Sequence, residues 1–229
     1  LADKEMGEAD RARYCQIIHD EANRLSRLLA DLLDLSVLES GQVTLNLDDQ
    51  ALNGVLDRAV AATEQPKDAR DFEVRRDVER EDIALYTDGA RLTQVFINLI
   101  ANAQKYCEAE APVLTISVGY SGARAYVDFA DNGKGIPSDT QALLFEKFSR
   151  GTDERAAGGA GLGLAICREI MTRLGGSVAY VPGDSGAVFR VFLPVRASVA
   201  AQYTTYSWLE NLYEIVTLAV DFKARRKGS

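Results

Sequence analysis

Histidine and cysteine are scarce in this sequence. Among 229 residues there is one histidine, His19, and there are three cysteines, Cys15, Cys107 and Cys167. A single imidazole excludes catalytic or metal chemistry that needs several of them. The cysteines are odd in number, far apart and without metal-ligand spacing, so no disulfide framework is indicated. We expect reduced thiols that serve as small packing residues in a cytoplasmic protein, whose parent could be attached to a membrane through an upstream region.

Basic charge and long apolar runs are also lacking. The formal net charge is −8, whereas a nucleic-acid-binding protein normally carries a basic balance, so we expect no nucleic acid among the partners. No apolar run reaches the roughly twenty residues that span a bilayer, and nothing resembles a signal peptide. The 47% of hydrophobic residues suffices for a large domain with a sizeable core.

A long helical pattern occupies residues 9–40. Its leucines and isoleucines recur at helical spacing, and Gly41 is a natural stop. The stripe is too long to be buried within the helix itself. We therefore expect it to pack on another helix, in this chain or in a second copy.

The following 155 or so residues mix short strands with helices. Alternation predicts strands at 42–47, 72–78, 83–88, 113–120, 123–130, 177–181 and 187–195. Helical spacing predicts helices at 51–65, 89–105, 139–145 and 164–175. The pair Ser121-Gly122 indicates a hairpin between two of the strands. Together these elements predict a mixed sheet covered by helices on one face.

Two asparagines and a lysine lie on the helix at 89–105. Asn98 and Asn102 are one helical turn apart and project from the same side, and Lys105 follows on or near that side. Asparagine is a middling helix former, so propensity does not explain the pair. The spacing indicates a face that offers carbonyl oxygens and a positive charge.

Three glycine-bearing segments follow this helix. In 131–137 (DNGKGIP) Asp131 is expected at the end of the strand predicted at 123–130. A carboxylate fixed there can accept a hydrogen bond from an exocyclic amine, and the glycines permit close approach of a ligand. The segment 158–164 (GGAGLGL) precedes a helix, whose N-terminal N–H groups suit a phosphate chain. The segment 183–189 (GDSGAVF) turns into the last strand. Each segment alone is more often a structural turn than a site, and the interpretation rests on their combination.

Residues 149–163 and the end of the chain stand apart in composition. The former are rich in glycine and charge and predict a mobile, ligand-closing lid. From Ala200 onward a helical apolar stripe is followed by the basic KARRKGS. This tail is a helix packed on its own domain, a docking helix for a partner, or a segment added to the protein, and the sequence leaves these alternatives open.

In this order the motifs resemble those of the ATP-binding catalytic domain of bacterial sensor histidine kinases, within the superfamily that includes gyrase, Hsp90 and MutL-type ATPases. NLIANAQKY is similar to the asparagine box, DNGKGIP to the first glycine box, LLFEKFSR to the phenylalanine box and GAGLGLAI to the second glycine box. The resemblance covers roughly residues 42–195. Residues 21–41 resemble the second helix of the kinase dimerisation domain.

The resemblance implies an α+β fold, a two-layer α/β sandwich of the Bergerat-type ATP-binding class with a mixed sheet, preceded by a long dimerisation helix. The implied domains are 1–41, a partial dimerisation helix; 42–197, the ATP-binding catalytic domain; and 198–229, an appended helix or tail of unknown role. The chain would then be the catalytic module of a two-component kinase.

The resemblance also implies roles for individual residues. Asn102 would ligate Mg²⁺, and Asn98 would assist at the metal or the phosphates. Lys105 would neutralise phosphate charge, and Arg150 would contact phosphate from the lid. Asp131 would read the adenine amino group of ATP. The remaining nucleotide-binding positions are Tyr106, Gly133, Gly135, Ile136, Phe148, Gly161, Leu162 and Gly163.

One comparison within the superfamily and two departures from the kinase pattern bear on the chemistry. Gyrase-like ATPases have a water-activating glutamate where this chain has Asn98, so hydrolysis should be slow and phosphoryl transfer is expected. Ala160 and Ala187 replace threonines that the family commonly has, which would weaken nucleotide binding by ~1 kcal/mol per lost contact. The acceptor stretch, similar to HELRTPL in the family, is missing, and His19 is an improbable substitute on the second helix.

The implied function is transfer of the ATP γ-phosphoryl group to a histidine, for relay to an aspartate of a response-regulator receiver domain. The implied partners are a second copy through the N-terminal helix, the missing acceptor-histidine helix and the response regulator. The alternative is a nucleotide-binding pseudokinase adaptor that docks partners without transfer. The two lost threonines, the missing acceptor and the apolar tail favour this alternative slightly, whereas the intact Asn102, Lys105 and Asp131 favour the kinase.

Overall fold

The computed structural model describes residues 7–41, 43–64, 71–77, 83–121, 124–149, 161–182 and 185–193. Predictions for the 122–123 turn, Arg150, Ala160 and the tail 198–229 lie outside these residues. The helices are α1 (Glu8–Glu39), α2 (Leu52–Ala62), α3 (Gly89–Tyr106) and α4 (Gly163–Arg173). The strands are β1 (Asp48–Ala51), β2 (Glu73–Asp77), β3 (Ala84–Thr87), β4 (Val113–Ser121), β5 (Arg124–Asp131), β6 (Ser177–Pro182) and β7 (Ala187–Phe192).

The long helix α1 confirms the sequence pattern and ends where Gly41 adopts a φ of +77°. Its C-terminal turns pack against α4, and Leu35 and Leu38 are buried in the common core. Leu28 is half-buried. Most other members of the stripe are solvent-exposed: Tyr14, Ile17, Ile18, Leu25, Leu29, Leu32, Leu33 and Val37. Neither α1 nor any other helix in the described ranges is long and apolar enough to span a membrane.

Five strands form the mixed sheet that the sequence predicts, in the order β2-β4-β5-β7-β6. The β2–β4 pair is parallel, with Glu73 opposite Val113, and the other three pairs are antiparallel. The strands β1 and β3 pair separately, as an antiparallel two-stranded sheet. The observed sheet structure therefore has two parts, whereas the sequence predicts one.

The hydrophobic core lies between the five-stranded sheet and the helices. Phe96 of α3 packs on Phe129 of β5, with 5.2 Å between ring centroids. Alternate strand residues face this core, as the period of two requires: Leu114, Ile116, Val127, Phe129, Phe189 and Val191. This is the two-layer sandwich expected from the sequence.

The strand predicted at 42–47 is wrong, because β1 begins only at Asp48. Val43 and Leu45 are half-buried and pack against the core. The alternation of apolar and polar residues therefore reflects contact with the core and not pairing with another strand. The Asn46 N–H donates to the Asp88 Oδ2 atom at 3.0 Å instead of to a neighbouring strand. The observed strand is the polar DDQA, whose pairing with β3 no local pattern indicates.

The helix predicted at 139–145 is also wrong in type. The structure has one turn of 3₁₀ helix, Gln141–Leu143, within a series of i to i+3 hydrogen bonds. The helix predicted at 51–65 is shorter than expected, since α2 ends at Ala62. The cysteine prediction holds for Cys107 and Cys167, which are buried, but Cys15 is exposed.

Candidate functional site

The polar face of α3 meets the beginning of α4. The Asn98 Nδ2 atom donates to the Gly163 carbonyl at 3.4 Å. Asn102, one turn further, is half-buried, and its amide has no hydrogen-bond partner among the described residues. Lys105 is exposed in the last turn of α3, with its Nζ 4.9 Å from the centroid of the Tyr106 ring. The face therefore presents an amide and an ammonium group, one and two helical turns beyond the contact of Asn98 with the start of α4.

Cys167 of α4 is buried next to Asn98. Burial raises the pKa of its thiol to about 12, against a smaller lowering by a hydrogen bond with the Asn98 side chain. The thiol is therefore neutral at physiological pH, and its Sγ lies 3.8 Å from the Val95 carbonyl oxygen. Sequence reasoning treated Cys167 as packing only and missed its contact with Asn98.

Asp131 ends β5 and fastens the loop after it. Its Oδ1 atom accepts hydrogen bonds from the Gly133 N–H at 2.8 Å and the Ala187 N–H at 3.1 Å. Its Oδ2 atom has no hydrogen-bond partner among the described residues. One oxygen therefore holds the carboxylate in place while the other is available to a donor.

Gly186 is a site residue that the sequence analysis did not single out. Its φ is +72°, and a Cβ there would lie 1.8 Å from the Asp131 carbonyl oxygen. Gly135, with a φ of +75°, packs against it, since a Cβ on Gly135 would lie 2.9 Å from the Gly186 carbonyl oxygen. No side chain fits between these two turns. The glycine-bearing segment 183–189 was the signal that pointed to this contact.

Asn132 follows Asp131 in the DNGKGIP motif, but its side chain has a structural role. Its Oδ1 accepts from the Val113 N–H at 2.9 Å, and its Nδ2 donates to the Ala111 carbonyl at 2.8 Å. These bonds attach the loop to the start of β4. Ile136, further along the loop, packs against the core, and its carbonyl accepts from the Gln141 Nε2 atom at 2.8 Å.

The two ends of the predicted lid lie together. The Phe148 N–H donates to the Gly161 carbonyl at 3.0 Å, and both residues have positive φ, +60° and +70°. Leu162 is buried and occupies the N-cap position of α4, without a capping hydrogen bond from its side chain, and Gly163 is the first residue of that helix. Arg150 and residues 151–160 lie outside the described residues.

His19 lies on the exposed part of α1. Its Nε2 atom is 3.0 Å from the Nδ2 atom of Asn23, one turn along the same helix. The structure therefore shows for this histidine an ordinary surface contact.

These groups fit a magnesium-bound adenine nucleotide. Asp131 keeps a free acceptor for an amine, and Asn102 offers the hard oxygen ligand that Mg²⁺ prefers. Backbone N–H groups at the start of α4 suit phosphate oxygens, and Lys105 supplies positive charge. The described residues hold no cluster of histidine, cysteine and carboxylate side chains for another metal.

Comparison with known proteins agrees with this chemistry. Residues 87–197 match the model of the histidine kinase-, DNA gyrase B- and HSP90-like ATPase family. Sensor protein KdpD of Escherichia coli is 34% identical over 188 residues, which make up 82% of this chain and 21% of KdpD. The chain spans less than half the length of the curated relatives it matches.

Solved structures agree as well. Full-length ShkA in complex with AMPPNP has a TM-score of 0.68 at 25% identity, over 85% of this chain and 41% of ShkA. The histidine kinase ThkA in complex with the response regulator protein TrrA has a TM-score of 0.63 at 25% identity, over 85% of this chain and 53% of ThkA. On its motifs, its fold and these relatives, the chain belongs to the histidine kinase-, DNA gyrase B- and HSP90-like ATPase family and carries an ATPase domain of the histidine kinase kind.

Proposed function

We propose that this chain is the catalytic module of a two-component sensor histidine kinase, which binds ATP with Mg²⁺ and supports phosphoryl transfer to a histidine. One observation carries the proposal: Asp131 is fixed through one oxygen by two backbone N–H groups, while its other oxygen accepts no hydrogen bond from the residues that the structure describes. A carboxylate held in this way has a fixed orientation and offers its second oxygen to a donor from a ligand.

The base-binding part of the site is formed by the loop after β5. The free oxygen of Asp131 would accept the exocyclic amine of adenine, while Gly133 and Gly135 let the base approach the backbone. Ile136 and Tyr106 would contribute apolar contacts. ShkA, a similar protein, was solved in complex with AMPPNP, which supports nucleotide binding by this chain.

The phosphate-binding part lies between α3 and the start of α4. Asn102 would hold Mg²⁺ through its amide oxygen, and Asn98 would assist at the metal or the phosphates. Lys105 would lie near the phosphates together with Arg150. The lid positions Phe148, Gly161, Leu162 and Gly163 would close over them. Bound Mg²⁺ would neutralise phosphate charge during transfer.

The amide of Asn98 decides between hydrolysis and transfer. It cannot take a proton from water, as a carboxylate at this position would, so slow hydrolysis is expected. Its present hydrogen bond to the Gly163 carbonyl places it at the α4 N-terminus. Slow hydrolysis is compatible with both a kinase and an adaptor. The presence of Asn102, Lys105 and Asp131 favours the kinase, and we assign phosphoryl transfer to an acceptor histidine as the reaction.

The exposed stripe of α1 supports a homodimer through this helix. Ile18, Leu25 and Leu29 are each more than half exposed, which is costly for a helix that stays alone in water. In this proposal, residues 1–41 belong to the dimerisation element, 42–197 to the catalytic domain, and 198–229 to an appended tail. A receiver domain is the further partner, as in the similar complex of ThkA with TrrA.

The first test is calorimetry of Mg-ATP binding. Asn102→Ala should weaken magnesium-dependent binding by about tenfold or more, whereas Asn102→Asp, which keeps an oxygen ligand, should retain the dependence on magnesium. Folding of each variant is checked by circular dichroism. Absence of binding by the folded, unsubstituted chain would overturn the proposal.

The second test separates the kinase from the adaptor. The chain is incubated with labelled ATP and a separate polypeptide that carries a histidine kinase acceptor helix. Label on histidine supports transfer. Nucleotide binding without label on any of several acceptor helices would favour the adaptor.

A further inference from the structure

Tyr180 of β6 lies next to the loop that follows Asp131. Its ring packs edge-on against Phe189, its partner across the β6–β7 pair, with 5.8 Å between centroids. A Cβ built on Gly135 would lie 4.0 Å from the Tyr180 Oη atom. The hydroxyl thus lies near this loop, close to the contact between Gly135 and Gly186.

The hydroxyl is not needed by the described part of the fold. Tyr180 is half-buried and packs against the core through its ring. Its Oη forms no hydrogen bond with another described residue. A phenol in a partly buried place usually finds a hydrogen-bond partner, and phenylalanine would provide the same ring packing. Within the described residues, the hydroxyl is therefore available to a ligand bound beside the loop.

We propose that Tyr180 is a base-recognition residue that donates a hydrogen bond to a ring nitrogen of the purine, directly or through one water. This inference rests on the proposed function, because it places the base beside Asp131. Asp131 would accept from the exocyclic amine, whereas a hydroxyl can donate to the ring nitrogens, which are acceptors. The two residues together select a purine that combines an amine with a ring acceptor.

The Asp131 contact also acts against guanine. A guanine carbonyl directed at the Asp131 carboxylate sets two acceptors against each other. Tyr180 adds a second requirement: the purine ring must carry a nitrogen that can accept a hydrogen bond from the hydroxyl. An adenine nucleotide satisfies both contacts, and a purine analogue that lacks the ring nitrogen satisfies one.

The test compares Tyr180→Phe with Tyr126→Phe. Tyr126 is a matched control on the other face of the sheet, where its ring lies 3.8 Å from the Arg190 guanidinium carbon and packs on Phe192. The affinity of each variant is measured by calorimetry for Mg-ATP and for ATP analogues in which a single ring nitrogen is replaced by C–H.

Tyr180→Phe should weaken Mg-ATP binding by about threefold to tenfold, as expected for one neutral hydrogen bond, and Tyr126→Phe should leave it unchanged. The analogue that lacks the contacted ring nitrogen should bind the unsubstituted chain more weakly than ATP does, by a similar factor. The same analogue should bind Tyr180→Phe no more weakly than ATP binds that variant. This non-additivity identifies the contact.

Two results would overturn the inference and leave the proposed function intact: unchanged Mg-ATP affinity in Tyr180→Phe, or an equal loss for ATP and every analogue, which would show a general packing effect. Failure of the unsubstituted chain to bind Mg-ATP would overturn both.

Discussion

Phe148 and Gly161 are joined by a backbone hydrogen bond of 3.0 Å, although they are distant in sequence and flank the glycine-rich segment. A Cβ on Gly161 would lie 2.5 Å from the Ser149 carbonyl oxygen. The start of α4 and the end of the phenylalanine box therefore depend on one contact that only glycine permits.

Gly161→Ala should disrupt this contact and weaken Mg-ATP binding. The matched control is Gly175→Ala, because Gly175 has a similar φ of +77° but nothing within 4 Å of its Cβ position. Both variants should lose about 1–2 kcal/mol of stability from the left-handed backbone alone, and Gly161→Ala should lose more. Urea denaturation and calorimetry measure the two effects. Equal effects of the two variants on nucleotide affinity would contradict the prediction.

Asp131→Asn should weaken Mg-ATP binding by about tenfold or more, because an amide replaces a charged acceptor of the amine. Asp128→Asn is the control on the same strand. Asp128 pairs with Arg190 at 2.8 Å on the opposite face of the sheet, so its loss should reduce stability without changing affinity. The measurements are calorimetry and thermal denaturation. Retention of full affinity by Asp131→Asn would remove the carboxylate from base recognition.

Asp34 of α1 should matter more for stability than Glu39 of the same helix. Asp34 accepts from the Arg91 Nη1 and Gln94 Nε2 atoms of α3, each at 2.7 Å, and its side chain is 21% exposed. Asp34→Ala leaves a partly buried guanidinium without this partner and should cost about 1–3 kcal/mol in the free energy of unfolding.

The comparison variant is Glu39→Ala. Glu39 pairs with Lys147, and both side chains are more than 40% exposed, so the loss should be about 0–1 kcal/mol. Urea denaturation at one salt concentration measures both. A larger loss for Glu39→Ala would contradict this ranking.

Cys167 should make the protein less stable at alkaline pH. Burial raises the pKa of its thiol from 9.0 to about 12, so the folded chain holds this proton more tightly than the unfolded chain. The contribution is complete below pH 9.0 and is lost progressively as the pH rises toward about 12.

Cys167→Ala should therefore show a flatter fall of unfolding free energy above pH 9.0 than the unsubstituted chain. The measurement is urea denaturation at a series of pH values. Cys15→Ala, which changes an exposed residue, should follow the unsubstituted chain. Parallel curves for Cys167→Ala and the unsubstituted chain would show that the buried thiol does not contribute.

Much of the fold could be predicted because its signals are local. Helical spacing placed α1 and α3 to within a residue or two, and alternation placed β4, β5, β6 and β7. The expected position of Asp131 at a strand end is also confirmed. Two predictions were wrong. The strand at 42–47 was predicted from an alternation that arises because Val43 and Leu45 contact the core, and the α-helix at 139–145 is a series of 3₁₀ hydrogen bonds near Gln141.

By itself the sequence determined the periodic elements, the order of the motifs and the residue types of the site, because helices, strands and glycine turns are set by neighbours along the chain. Only the tertiary structure decided that Gly186 packs on Asp131, that Ala187 binds its carboxylate and that Tyr180 lies beside Gly135. These contacts join residues far apart in sequence, and they follow from how the strands pair and how the two layers pack, which no local pattern records.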